Sequence, residues 1–383
     1  MNESKIEYLK SPIIVDIGGG EVKAGFSGEE KPKVCFKNYF GEKKYKNIFR
    51  SFKNENISDL NEIFIGEDCD KHNGVLKLSY PVKHGIFSNE QDILNLFNHI
   101  YSKLGCAQEI KEHPVLITEP LLNPYSNREK ISSALFGNLG IPALFFASQP
   151  ILSLYSTSKT SGTILESGEG VSQSCVIFEG YSLPLSYERY DYGGEDVTNY
   201  LKHLLIRKGY SFYNSADFRI LNEIKENFCY CCLNNENSQK TKKITVEYIL
   251  PDGNSVILDN EKELAAEILF NPLLMGKEYL SLQEMIKSSV EKIDMELKSM
   301  AYNYILLGGG NTKIKGLQQR LNNELKKIGS PNLKININTS TDPQNSCWVG
   351  GNVISTLEIF RKMWVTKKDW IESGAKIVHV KTI

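Results

Sequence analysis

The chain has 383 residues, 24% charged and 41% hydrophobic, with a formal net charge of −1. That is a globular composition long enough for two or more core-bearing units, and its charge balance provides no global attraction to nucleic acid or an anionic membrane. The eight cysteines lack zinc-like spacing; Cys229, Cys231 and Cys232 cannot all aim at one tetrahedral metal, so they read as buried or inert thiols. No signal peptide or long apolar span is visible, so the expectation is a reducing cytosol or nucleus.

In chain order, Ile13 to Phe36 reads as strands joined by glycine turns. Asn38 to His72 is polar and weakly periodic, with Lys43, Lys44, Lys46, Arg50 and Lys53 around Phe49 and Phe52, and reads as a small mobile insertion. A capping-box spacing at Ser88 and Gln91 starts a helix with Ile93, Phe97, Ile100 and Leu104 on one face, stopped by Gly105. His113 to Ile117 is a buried strand; Ala134, Leu135 and Leu139 mark a helix stopped by Gly140; Ala143 to Ala147 is a strand, and Ile151 to Tyr155 begins another helix. The second half repeats the order. Hairpin strands span Thr163 to Phe178, and helices follow around Val197 to Leu205 and Leu221 to Phe228. The polar region Asn234 to Glu267 carries a hairpin at Pro251-Asp252-Gly253. Ser281 to Met300 reads as one capped helix, Tyr304 to Leu307 as a strand, Leu317 to Ile328 as a helix, Leu333-Ile335-Ile337 as a strand and Trp348 to Trp364 as helical. A strand hairpin, helix, strand and helix, occurring twice, predicts a duplicated α/β unit with its ligand in the cleft between the halves.

Three glycine turns carry the chemistry. Asp16-Ile17-Gly18-Gly19-Gly20 follows Ile13-Ile14-Val15; Glu166-Ser167-Gly168-Glu169-Gly170 follows Thr163-Ile164-Leu165; Gly308-Gly309-Gly310-Asn311-Thr312 follows Tyr304 to Leu307. Such turns let backbone N–H groups converge on phosphate oxygens, and an acid ending the entering strand suits hydrated Mg²⁺. Two facing copies would clamp a nucleotide polyphosphate, and the third would support the adenosine.

The chain resembles actin and the actin-related proteins over nearly its whole length. The resemblance rests on Lys23-Ala24-Gly25-Phe26, Tyr80 to Ile86, Glu112 to Glu119, Asn127 to Lys130, Leu152 to Tyr155, Glu179-Gly180-Tyr181, Gly209 to Phe212, Ile224-Lys225-Glu226, Leu250 to Gly253, and the ending Lys362 to Lys368 through His379. Phe145, Phe146, Asp217-Phe218 and the tail Ala375 to Thr382 are most similar to centractins. The resemblance implies the actin-like ATPase fold, with duplicated ribonuclease-H-like domains and four subdomains around a nucleotide cleft. Residues 1–37, 81–156 and 346–383 would form the first subdomain, 38–80 the second, 157–192 and 278–345 the third, and 193–277 the fourth.

The resemblance also assigns roles. Asp16 and Glu166 would hold Mg²⁺. Gly18, Gly19, Gly20, Lys23, Gly168, Glu169 and Gly170 would take the phosphates of ATP or ADP. Gly194, Lys225, Glu226, Gly309, Gly310 and Gln344 would line the ribose and adenine. Gln149, Gln173 and Glu166 would order the attacking water. The departures from the family pattern point one way. Gly19 stands where a serine is usual, so a hydroxyl contact to the γ-phosphate is lost. Glu166 and Glu169 replace aspartates. Gln173 replaces a histidine and is no proton acceptor at neutral pH. Gln344 replaces a lysine beside the adenine. Nucleotide binding is expected to persist while hydrolysis is weak at most.

As partners, the resemblance implies actin-like subunits or further copies of this chain. Helices of actin-binding proteins would dock on Tyr155, Val349, Val353, Ile354, Leu357 and Met363; no nucleic acid or membrane insertion is expected. Leu273, Leu274, Met275 and Gly276 correspond to an apolar plug, with Lys277 where an apolar residue is usual. The basic insertion at Lys43 to Lys53 reads as a solvated loop or a contact for an acidic partner. The expected role is a subunit of a cytoplasmic, cytoskeletal filament or complex, such as a dynein-adaptor assembly. The alternatives are a nuclear subunit of a chromatin-remodelling complex and a conventional polymerising ATPase.

Overall fold

The computed structural model of the chain describes residues 10–44, 63–72, 75–233, 245–251, 253–329 and 334–381. The chain divides into two compact units, Met1–Lys159 with Asn345–Ile383, and Thr160–Gln344. Most of the basic insertion, much of the polar stretch after Leu233, and Asp252 lie outside the described residues.

The first unit contains β1 (Ile13–Ile17), β2 (Glu21–Phe26), β3 (Val34–Lys37), β4 (Phe40–Lys43), β5 (Phe64–Ile65), β6 (Leu76–Ser79), β7 (Val82–Lys83), β8 (Ile86–Phe87), β9 (Val115–Glu119) and β10 (Ala143–Ser148). Its main sheet runs from the short strand Val365–Thr366 through β10, β9, β1 and β2 to β3. β1 is antiparallel to β2, with Asp16 opposite Lys23, and parallel to β9, with Ile13 opposite Val115. The continuous Ile13-Ile14-Val15 run has the signature of a strand covered on both faces. Ile13 and Val15 pack with Phe97, Ile100 and Phe136. Ile14, by contrast, packs with Leu116, Phe145, Leu152 and Trp348. Each such fully buried side chain stabilises the unit by roughly 1.5–3 kcal/mol.

The second unit contains β11 (Gly162–Ser167), β12 (Ser172–Phe178), β13 (Tyr181–Ser182), β14 (Glu188–Tyr190), β15 (Val246–Ile249), β16 (Ser255–Leu258), β17 (Ile305–Gly308) and β18 (Ile337–Thr339). The sheet order is β13, β12, β11, β17, β18, with β14 also on β12. It repeats the first unit's order of an antiparallel meander followed by parallel strands. β11 lies antiparallel to β12, with Glu166 opposite Gln173, and parallel to β17.

Several elements differ from the sequence expectation. The helix Glu90–Leu104 is capped by Asn89, whose side chain accepts from the Asp92 N–H, rather than by Ser88. An Asn at the cap accepts such a bond well, and Ser88 instead donates its N–H to the Pro81 carbonyl. Ser281 to Met300 is two helices, Leu282–Glu291 and Met295–Asn303. Asp294, a poor helix former, adopts extended ψ and starts the second. The polar region after Leu233 includes the helix Glu261–Glu267. The strand expected from Leu333 begins at Ile337, and Leu333 itself lies outside the described residues. Trp348 to Trp364 divides into the helix Ser346–Ser355 and a 3₁₀ turn, Glu358–Lys362. Gly105 and Gly140 do end their helices, in left-handed conformation. Among the described residues, no helix is long and apolar enough to cross a membrane.

Candidate functional site

In the first unit, the β1–β2 hairpin brings one buried ion pair to the end of the sheet. Lys23 Nζ lies 3.4 Å from Asp16 Oδ2. The opposed register of β1 and β2 forces this meeting. Both side chains are almost fully buried. Burial opposes the Lys23 ammonium, but the charges of Asp16 and then Glu21 outweigh it and raise its pKa above the ordinary value. The other Asp16 oxygen accepts from Thr118 Oγ1 at 2.6 Å and Gln149 Nε2 at 3.3 Å, and Gln149 also donates to Thr118 at 3.3 Å. Thr118 ends β9 and Gln149 follows β10, so neighbouring strand ends supply the set. Thr118 has no motif of its own in the sequence; its signal is its place at the carboxyl end of a parallel strand beside β1.

The adjoining turn is closed by the Gly18 N–H donating to the Glu21 carbonyl at 3.0 Å. A Cβ on Gly18 would lie 2.7 Å from that carbonyl oxygen, so only glycine fits. Among the described residues, the N–H groups of Gly19 and Gly20 donate to nothing. Unspent amides beside a buried lysine suit a polyphosphate.

In the second unit, Gln173 Nε2 donates to Glu166 Oε2 at 2.8 Å, both side chains buried. The Gly168 N–H closes its turn on the Val171 carbonyl at 2.9 Å. The Gly168 and Glu169 carbonyls accept from the Gly194 and Glu195 N–H groups at 2.9 and 2.8 Å, tying this turn to the start of the helix Gly194–Arg207. Lys225, buried in the helix Ser215–Phe228, donates to the Gly194 carbonyl at 3.0 Å and Asn222 Oδ1 at 3.1 Å and lies 3.4 Å from Glu169 Oε2. Thr198 Oγ1 lies within reach of the same two acceptors, and its single proton serves one of them at a time. Gly168, Glu169, Gly194 and Lys225 thus form one network, with Gly170 buried beside it. Glu226 is exposed and stands outside these contacts.

The third turn is built against the second. Gly309 has φ of 83°, and a Cβ there would overlap the Ser167 carbonyl, so glycine is required. Asn311 Nδ2 donates to Ser167 Oγ at 2.9 Å and the Gly168 carbonyl at 2.8 Å. Gly310 has open space where a side chain would stand, and Gln344 Oε1 accepts from Lys313 at 3.0 Å. Asn38 and Asn311, both buried, and Asn222, half-buried, were outside the sequence-derived site because carboxamides have no spacing signature.

No cluster of three His, Cys, Asp or Glu side chains is placed to hold a metal among the described residues. Cys229 and Cys231 are buried, with burial pushing each thiol up to about 12, so neither is a ready thiolate.

The surface residues divide. Leu357 and Val353 are exposed, while Tyr155, Val349 and Met363 are half-buried against the Trp348 cluster. Ile354, expected on the docking surface, is 4% exposed and belongs to that core, so it is withdrawn from the surface set. A helix that sends Val353 outward turns the next residue inward. Leu273 and Leu274 are exposed. Lys277 is drawn inward: its Nζ donates to Asp196 Oδ1 at 2.8 Å, while Asp196 Oδ2 accepts from the Gly193 N–H at 2.9 Å.

The repeated sheet order and paired glycine turns agree with one further finding. The family model for actin matches residues 9–383, and the chain belongs to the actin family, with an actin-like ATPase fold.

Proposed function

We propose that this chain binds ATP or ADP with Mg²⁺ and serves as a cytoskeletal filament or complex subunit of the centractin kind, with slow or lost hydrolysis. Members of its family generally bind these nucleotides. The observation that carries the reading is the Asp16–Lys23–Thr118–Gln149 constellation beside the Gly19 and Gly20 amides, which donate to nothing among the described residues. In it, Lys23 supplies positive charge to phosphate oxygens and the two amides supply directed donors. Asp16 would hold the magnesium ion, which when bound neutralises charge on the phosphates, and Glu166 is the acid at the matching position of the second unit. The Asp16 carboxylate is fixed by Thr118 and Gln149, so it enters binding already oriented.

Slow hydrolysis follows from the second turn. Ordering a water for attack on the γ-phosphoryl group is mostly positioning work. Gln173 donates its amide to Glu166, and glutamine accepts no proton at neutral pH. Titration calorimetry with Mg-ATP and Mg-ADP, paired with a phosphate-release assay, tests both parts. Tight binding with barely detectable release is expected; rapid turnover would overturn the second part, and absence of heat in nucleotide-free protein the first. The proposed cytoplasmic and cytoskeletal setting is checked by co-fractionation with filament subunits.

A further inference from the structure

The two acid-bearing turns share a device that the phosphate residues do not explain. In the first unit, Asn38 Nδ2 donates to the Gly18 carbonyl at 2.8 Å, and the Asn38 N–H donates to the Gly20 carbonyl at 3.0 Å. In the second unit, Asn311 Nδ2 donates to the Gly168 carbonyl at 2.8 Å. Gly18 and Gly168 occupy the same place, two residues after Asp16 and Glu166. The two asparagines do not correspond: Asn38 follows β3, the third strand of its meander, whereas Asn311 follows β17, a parallel strand. The same carbonyl is therefore held by the same chemical group reaching from unrelated positions.

A trans peptide places its C=O and N–H on opposite sides. Turning the Gly18 carbonyl toward Asn38 therefore aims the Gly19 N–H the other way; holding the Gly168 carbonyl does the same for the Glu169 N–H. Among the described residues neither N–H has an acceptor in the protein. Asn38 is fully buried, and its Oδ1 has no hydrogen-bond partner among the described residues. An unmet buried acceptor is unfavourable. A side chain needed only to fill space would be better apolar, so the carboxamide is there for its donor.

We propose that Asn38 and Asn311 are positioning residues, a pair of carboxamide latches that aim backbone amides of the two glycine turns at phosphate oxygens. The inference rests on the nucleotide-binding reading above. The latches are unequal. The Gly168 carbonyl also accepts from the Gly194 N–H, whereas Gly18 has only the Asn38 side chain among the bonds described. Loss of Asn38 therefore has the larger effect.

The test is titration of nucleotide-free wild type, Asn38→Ala and Asn311→Ala with Mg-ATP, Mg-ADP and adenosine. For Asn38→Ala, Mg-ATP affinity is expected to fall about tenfold, the scale of one charge-assisted hydrogen bond, with adenosine within about twofold. For Asn311→Ala the expected fall is about threefold, again growing with phosphate number. Asn38→Ser, which retains a donor, should recover part of the loss, and it replaces Asn38→Ala should that variant not fold. Equal losses for ATP and adenosine, or unchanged ATP affinity in the variants, would overturn the latch. Wild type that binds no nucleotide at all would instead overturn the reading on which it rests.

Discussion

Asp16 with Lys23 and Glu166 with Gln173 occupy matching positions, seven residues apart and directly opposite across the first hairpin of each unit. The first pair is a buried ion pair at 3.4 Å; the second is a buried hydrogen bond from a neutral amide at 2.8 Å. The difference teaches that the duplicated scaffold preserves geometry without preserving chemistry. In the first unit each charge depends on the other, and neither can be removed cheaply. In the second, the carboxylate faces a partner that neither needs its charge nor moves a proton. If the chain binds nucleotide as proposed, binding and hydrolysis become separable, with the departures at Glu166 and Gln173 falling where the carboxylate meets a neutral amide.

The sharpest break of this comparison is the parallel substitution of the two acids. Asp16→Asn removes the foremost counter-charge of buried Lys23 and is expected to cost about 3 kcal/mol of stability. Glu166→Gln, whose carboxylate accepts from the neutral Gln173 amide, is expected to cost less, about 1 kcal/mol. Chemical denaturation of both variants measures the gap, and equal costs would erase the distinction. Next, Glu166→Asp combined with Gln173→His reverses two of the three departures that the resemblance to actins shows at the second turn, leaving Glu169. Phosphate release is expected to rise about tenfold, the equivalent of ~1.4 kcal/mol in the barrier. An unchanged rate would place the block elsewhere.

A smaller effect is expected from Lys225→Met. The variant removes a donor to the Gly194 carbonyl and Asn222, and the single Thr198 hydroxyl proton can still serve one of them, so the loss should be about 1 kcal/mol by denaturation. The smallest is a pH effect. Because the Lys23 pKa is raised above its ordinary 10.5, its stabilising contribution is whole below that pH and fades as pH climbs through the higher folded-state value. The melting-temperature difference between wild type and Lys23→Met should be flat from pH 8 to about 10 and shrink above that range.

Much of this was legible in the sequence. Apolar runs ending in acid-glycine turns announced β1 and β11, and glycine stops ended their helices at Gly105 and Gly140. The Leu317–Ile328 helix has the bounds its periodicity predicts. What escaped was local competition between signals. Asn89 outcompeted Ser88 as a cap, and Asp294 interrupted a hydrophobic period that ran on through it. The acids, Lys23 and the glycines could be placed because they lie on one hairpin. Thr118 and Asn311 reach their partners, and Asn222 reaches Thr198, across tertiary contacts that no spacing encodes. Ile354 illustrates the remaining difficulty: an apolar residue on a helix reads alike whether it faces a core or a partner.

The most direct measurement of the account is the nucleotide that the protein carries. Protein purified in magnesium, denatured and chromatographed should release about one adenine nucleotide per chain. Stored for days beforehand, it should still release mainly ATP, as a firm hold with little hydrolysis requires. A preparation that carries none, and then takes up neither ATP nor ADP at millimolar magnesium, would contradict it.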